Sequence, residues 1–239
     1  MKSKNNWGVE HAVFAGATLA TVVGAVTGRE RLQRVAKPLI APALAARVLR
    51  RRAGTDVALL LAGLTAATVG DVFMIDPDDD ARLVRGASAF AVMQVGYSAL
   101  LLRRGARPTV PALLPRLAGW AGAAALLRGR AKEVAAPLTA YGALLGTTST
   151  LSADPSLAPG ADVFANVAVP GTDRRSWLGV GGMLFTASDG LIVVRRLFIR
   201  GERGRAAAEG AILASYAAAQ LLLVEGMLAL GRRRITGRA

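Results

Sequence analysis

Apolar residues run along this chain in long stretches, and polar ones fall between them in short breaks marked by Arg, Pro and Gly. Read for period and punctuation, the pattern predicts eight helices. They lie near residues 9–27, 36–50, 56–75, 84–102, 109–127, 131–150, 177–199 and 206–230. The second is short and holds Pro38 and Pro42, so a kinked or tilted segment is expected there, and Pro137 marks a similar irregularity in the sixth. The one long connection, Leu151 to Ser176, is rich in Pro, Ala and Asp and reads as a surface loop with a short interfacial turn. No internal repeat or linker divides the chain, which is expected to form a single domain over residues 1–239.

Composition turns these helices into membrane helices. Of the 239 residues 53% are hydrophobic, with a single His and no Cys, and the mean hydropathy is +0.39. A span needs roughly 20 mostly apolar residues to cross about 30 Å of hydrocarbon, and several stretches qualify. The expected fold class is therefore all-α, a polytopic membrane bundle of about eight transmembrane helices. The first apolar run has no clear cleavage site before it and reads as a retained helix rather than a signal peptide. The expected location is the bacterial cell membrane.

Charge changes the picture less than its size suggests. A formal net charge of +14 would point to nucleic acid in a soluble protein. Here the arginines cluster between the apolar runs, at Arg29 to Arg34, Arg47 to Arg52, Arg103 to Arg107 and Gly231 to Arg234. They read as anchors for anionic lipid headgroups, and no nucleic-acid partner is expected. An even number of helices puts both termini on one side, and Arg232 to Arg234 favour the cytoplasmic one. The absence of Cys excludes disulfides, thiolate nucleophiles and Cys-based zinc sites. The sequence sets no oligomeric state.

Candidate chemistry follows from the membrane assignment. An Asp at a helix centre costs roughly 2.5 to 3.5 kcal/mol even on lenient insertion scales, so an intramembrane acid suggests function. Two residues meet that description, Asp71 and Asp189, whereas Glu225 lies nearer a helix end and reaches the interface. Gly63, Ala67, Gly70 and Asp71 share one helical stripe, and Gly182, Thr186 and Asp189 another. Small-residue stripes are where membrane helices approach closely, so both carboxylates should face the bundle interior. Phe90, Gln94, Tyr97 and Ser98 on one helix, with Tyr216 and Gln220 on another, supply the polar partners a buried acid needs. Two such acids close together form an acid and base pair, carry protons through a transporter or lipid-translocating protein, or simply join helices. Other motifs carry less. Asp76 to Asp80 resembles the start of a calcium loop, but Ala81 and Ala87 stand where Gly and Glu are needed, and a solvated acidic loop is expected. His11 is isolated and reads as interfacial, so no metal site is expected, and the glycines of Gly179 to Gly182 read as helix packing.

Several stretches together resemble the YhhN family of lysoplasmalogenases: KPLIAP (Lys37 to Pro42), GDVFMI (Gly70 to Ile75), GASAFAVMQVGYSALL (Gly86 onward), GGMLFTASDGLIVVRRL (Gly181 to Leu197) and SYAAAQLLL (Ser215 to Leu223). The resemblance covers about residues 30 to 230. It implies an integral membrane hydrolase that cleaves the vinyl ether bond of a lysoplasmalogen to a fatty aldehyde and glycerophosphoethanolamine or glycerophosphocholine, without a cofactor. Membrane lipid and a lysophospholipid substrate are then the implied partners. Asp71 matches the GD aspartate and Asp189 the SD aspartate, and these are the expected catalytic pair. Lys37, Gln94, Tyr97, Ser188, Tyr216 and Gln220 are the expected substrate-binding residues. The chain departs from the family where many members have His in the fourth-helix motif and this one has Gln94, which leaves the aspartates as proton donors.

Overall fold

A computed structural model describes residues 8–76 and 78–231. The described residues form eight α-helices of ten residues or more, and one shorter helix. In chain order these are α1 (Val9–Val26), the short α2 (Glu30–Ala36), α3 (Ile40–Leu49), α4 (Thr55–Phe73), α5 (Asp80–Arg103), α6 (Val110–Arg130), α7 (Lys132–Ser152), α8 (Trp177–Phe198) and α9 (Glu202–Leu230). Five segments are long and apolar enough to cross a membrane: Val9–Val26, Thr55–Phe73, Val110–Arg130, Arg174–Phe198 and Glu202–Leu230. Burial agrees with a lipid environment. Leu19, Val92, Leu114 and Leu117 are exposed while Lys37, Asp71, Gln94 and Gln220 are buried, the reverse of a soluble surface.

The second expected helix differs most from its sequence reading. Instead of one element over 36–50, helix begins at Glu30, passes through a 3-10 turn at Lys37–Leu39 and resumes at Ile40. Hydropathy placed Arg29 to Arg34 outside the helix, but the segment is helix-competent, and Glu30 and Arg34 pair one turn apart at 2.9 Å. Pro38 at the start of the 3-10 turn accounts for the break. The connection after α7 is also more ordered than a loop with one turn. Val163–Phe164 pairs antiparallel with Val167–Ala168. Ala165 and Asn166 between them both have positive φ, as a tight hairpin turn requires.

Neighbouring helices close into a ring in the order α1, α3, α4, α5, α7, α8, α9 and back to α1, with α6 packed outside, mainly on α7. Glycines set the closest approaches. A Cβ on Gly63 would sit 2.8 Å from the Tyr97 ring, and one on Gly70 2.7 Å from the Phe90 ring, so α4 and α5 depend on both.

Ion pairs lock both ends of the ring. Glu225, expected to reach the interface, is instead buried, where it accepts from Arg47 Nε at 3.0 Å, meets His11 Nε2 at 3.2 Å and pairs with Arg174. His11 is buried with it rather than interfacial. These contacts tie α1, α3, α9 and the turn before α8 together. At the other end the acidic run is largely exposed, as expected, and also forms a clamp. Asp78 binds Arg195 at 3.1 Å and Arg205 at 2.6 Å, Asp79 caps α5 by accepting from Arg82 N, and Asp80 pairs with Arg196. Burial pushes the Asp78 carboxyl up, but Arg205 and Arg195 outweigh it and hold it below the usual carboxylate range. This clamp therefore holds at neutral pH and loosens as acid titrates Asp78. Of the arginines expected to anchor headgroups, Arg47, Arg50, Arg103 and Arg104 form ion pairs within the protein; Arg232 to Arg234 lie outside the described residues.

Candidate active site

Asp71 stands two residues before the end of α4, and the geometry there follows from that helix end. The last carbonyls of a helix have no partner within it, and in a membrane they must find one. Lys37 Nζ donates to Met74 O at 2.6 Å, and Arg82 donates to the carbonyls of Phe73 and Val72. The 3-10 turn that carries Lys37 and the start of α5 are thereby pinned to the end of α4.

A hydrogen-bond relay sets the Asp71 carboxyl. Tyr97 OH donates to Gln220 Oε1 at 3.0 Å, which leaves the Gln220 amide nitrogen to donate to Tyr216 OH at 3.2 Å. With its oxygen accepting, Tyr216 turns its own proton to Asp71 Oδ2 at 2.9 Å. Edge-on contacts with Phe90 and Phe185, at ring separations of 5.7 and 5.6 Å, hold the Tyr216 ring. Asp189 has a parallel arrangement on the other side of the bundle interior. Tyr141 of α7 donates to Asp189 Oδ2, and the Gln94 side chain lies beside the Tyr141 hydroxyl. The adjacent Ser188 donates to Ile212 O at 2.9 Å, fixing α8 against α9.

Both carboxyl groups line one cavity of about 300 Å³ inside the bundle. Lys37, Ser188 and Tyr216 share its wall with them. Gln94, Tyr97 and Gln220, expected to touch substrate, stand behind that wall; Tyr97 and Gln220 reach it through Tyr216, while both polar atoms of the Gln94 side chain are buried without a hydrogen-bond partner among the described residues. The rest of the lining is largely apolar, with Leu127, Leu138 and Ile192 among it. Among the described residues no three His, Cys, Asp or Glu side chains gather as a metal ion would need.

Among the polar lining residues that escaped the sequence reading as site residues are Tyr141, Arg116, Arg195 and Glu209. Arg116 of α6 donates to Ser149 Oγ at 2.8 Å and to Ala112 O of its own helix. The rule that singled out the aspartates, an ionisable group inside an apolar run, applies equally to Arg116. Tyr141 had a weaker signal, being one of only three tyrosines in the chain. Arg195, near the end of α8, pairs with Asp78 and with Glu209 at 3.3 Å.

The fold and cavity define a polytopic membrane protein with two acids facing a largely apolar space. The chain belongs to the YhhN family, whose model matches residues 32–227. The matched span takes in every residue of the cavity wall named above. Among curated proteins and among solved structures no match was found.

Proposed function

We propose that the protein hydrolyses the vinyl ether bond of a lysoplasmalogen, releasing a fatty aldehyde and a glycerophosphoethanolamine or glycerophosphocholine. The observation that carries this reading is the placement of Asp71 and Asp189, from different helices, on one largely apolar intramembrane cavity. Membership of the YhhN family is consistent with a hydrolase.

The chemistry needs one acid and one anion. A carboxyl group of the pair delivers its proton to the β-carbon of the alkene, and the π electrons shift to leave an oxocarbenium ion at the carbon bonded to oxygen. The partner carboxylate stabilises that cation and takes a proton from the water that adds to it. The resulting hemiacetal loses the glycerol oxygen, which leaves protonated as an alcohol, and the aldehyde remains. One water is consumed and no electrons are exchanged. Glycosidases use paired carboxyl groups against the same kind of cation. Tyr216 and Tyr141 orient the two carboxyl groups, and Gln220, itself held by Tyr97, orients Tyr216. Lys37 meets the headgroup phosphate. The cavity is at the small end of ligand sites, which span roughly 300 to 1,000 Å³, so the far part of the hydrocarbon chain lies among the helices and lipid.

The test compares two lipids that differ by one double bond. Purified protein in detergent is expected to release aldehyde from a 1-alkenyl lysophospholipid and none from its saturated 1-alkyl counterpart, which has no alkene to protonate. Equal cleavage of both, or of neither, refutes the reading.

A further inference from the structure

Lys37, Arg195 and Glu209 line the cavity at the end where α4 and α8 finish and α9 begins. Two cations and one anion at one end of an apolar space are not what a plain anionic amphiphile requires. They complement a group that carries both signs. Resting on the lysoplasmalogen reading above, we propose that Glu209 binds the headgroup nitrogen and makes the site selective for a primary ammonium, so that ethanolamine lipids are preferred over choline lipids.

Spacing supports the assignment. Glu209 lies about two turns before Tyr216 on α9, about 10 Å along the axis at 1.5 Å per residue, and Tyr216 holds Asp71. Roughly nine bonds separate the ether oxygen of a lysoplasmalogen from its headgroup nitrogen, and an extended chain advances about 3.5 Å for every three bonds, which again gives about 10 Å. The ether-to-nitrogen length of the lipid thus matches the rise along α9 from Tyr216, which holds Asp71, to Glu209. The phosphate falls between them, where Lys37 has used one of its three donors on Met74 O and keeps two.

Glu209 also has acceptor capacity to spare. One oxygen faces Arg195 Nε at 3.3 Å and the other accepts a long hydrogen bond of 3.5 Å from Gln33. An ionised carboxylate offers about four acceptor positions, so room remains for a donor. Arg195 is itself neutralised by Asp78 on its other edge, so the carboxylate is not wholly consumed by it. A primary ammonium gives charge-assisted hydrogen bonds to such an acceptor, whereas a trimethylated nitrogen has no N–H to give.

The experiment measures binding, independently of turnover, with uncleavable 1-alkyl lysophospholipids bearing ethanolamine, choline or bare phosphate. Trp120 lines the cavity and serves as a fluorescence reporter. Full-length wild type is expected to bind the ethanolamine lipid about tenfold more tightly than the choline lipid. Glu209→Gln is expected to erase that preference and leave affinity for the bare phosphate lipid unchanged or tighter. A wild type without headgroup preference overturns the proposal even where the variant fails to fold. So does a Glu209→Gln protein that weakens all three lipids alike. Headgroup preference without aldehyde release from any alkenyl lipid would instead sustain the site at Glu209 and remove the hydrolase reading.

Discussion

Asp189→Asn lowers aldehyde release from a lysoplasmalogen by about 10²- to 10⁴-fold, the usual contribution of a positioned acid or base. The substitution is nearly isosteric. An Asn side-chain oxygen still accepts from Tyr141, so the α7 to α8 contact survives and the cavity keeps its shape. What is lost is the ability to gain or release a proton at that position. KM should change little, because the chain and headgroup contacts remain, and the loss should appear in kcat. Asp71→Asn should behave alike, since Tyr216 donates to either side chain. Turnover within about threefold of wild type in either folded variant contradicts the carboxylate pair, because a general acid is worth far more than that.

The largest effect on stability is expected at Glu225→Gln. Glu225 is 2% exposed and is the shared partner of Arg47, Arg174 and His11. Neutralising it leaves two guanidinium groups facing each other without their counter-charge, and breaking a buried pair in this way costs about 3 to 5 kcal/mol. For a chain of this size the midpoint of thermal unfolding in detergent should fall on the order of 10 °C. The effect lies at the end of the bundle opposite Lys37 and Glu209, so turnover of the protein still folded at low temperature should be preserved. A midpoint within about 2 °C of wild type would show that the cluster contributes little to holding α1, α3 and α9 together.

The helices and the two acids were legible in the sequence, and for a physical reason. Hydrocarbon demands apolar length, so the spans announce themselves, and a carboxylate within one is conspicuous. The stripe of Gly63, Ala67, Gly70 and Asp71 correctly gave the inward face of α4, where all four are buried. Breaks and pairings were harder to read. The turn at Lys37–Leu39 sits inside a stretch whose hydropathy is unremarkable, and α2 is too polar for a hydropathy pattern to register as helix. Glu225 and His11 looked interfacial because each lies near a helix end, but their burial depends on Arg47 and Arg174, which are distant in the chain. Asp78 and Asp80 likewise found arginines more than 110 residues away. Such pairings are decided by tertiary packing, which one-dimensional periodicity does not contain. Tyr141 illustrates the same point within the site, since only the packing of α7 on α8 brings it to Asp189.

The central claim is that the alkene is protonated at its β-carbon, and deuterium in the product tests it most directly. Turnover of a 1-alkenyl lysophospholipid in D2O, with the aldehyde reduced at once to prevent exchange, should yield an alcohol carrying one deuteron on the carbon next to the former carbonyl. An aldehyde released without deuterium at that carbon would mean that the bond breaks by another route, and the account given for Asp71 and Asp189 would be wrong.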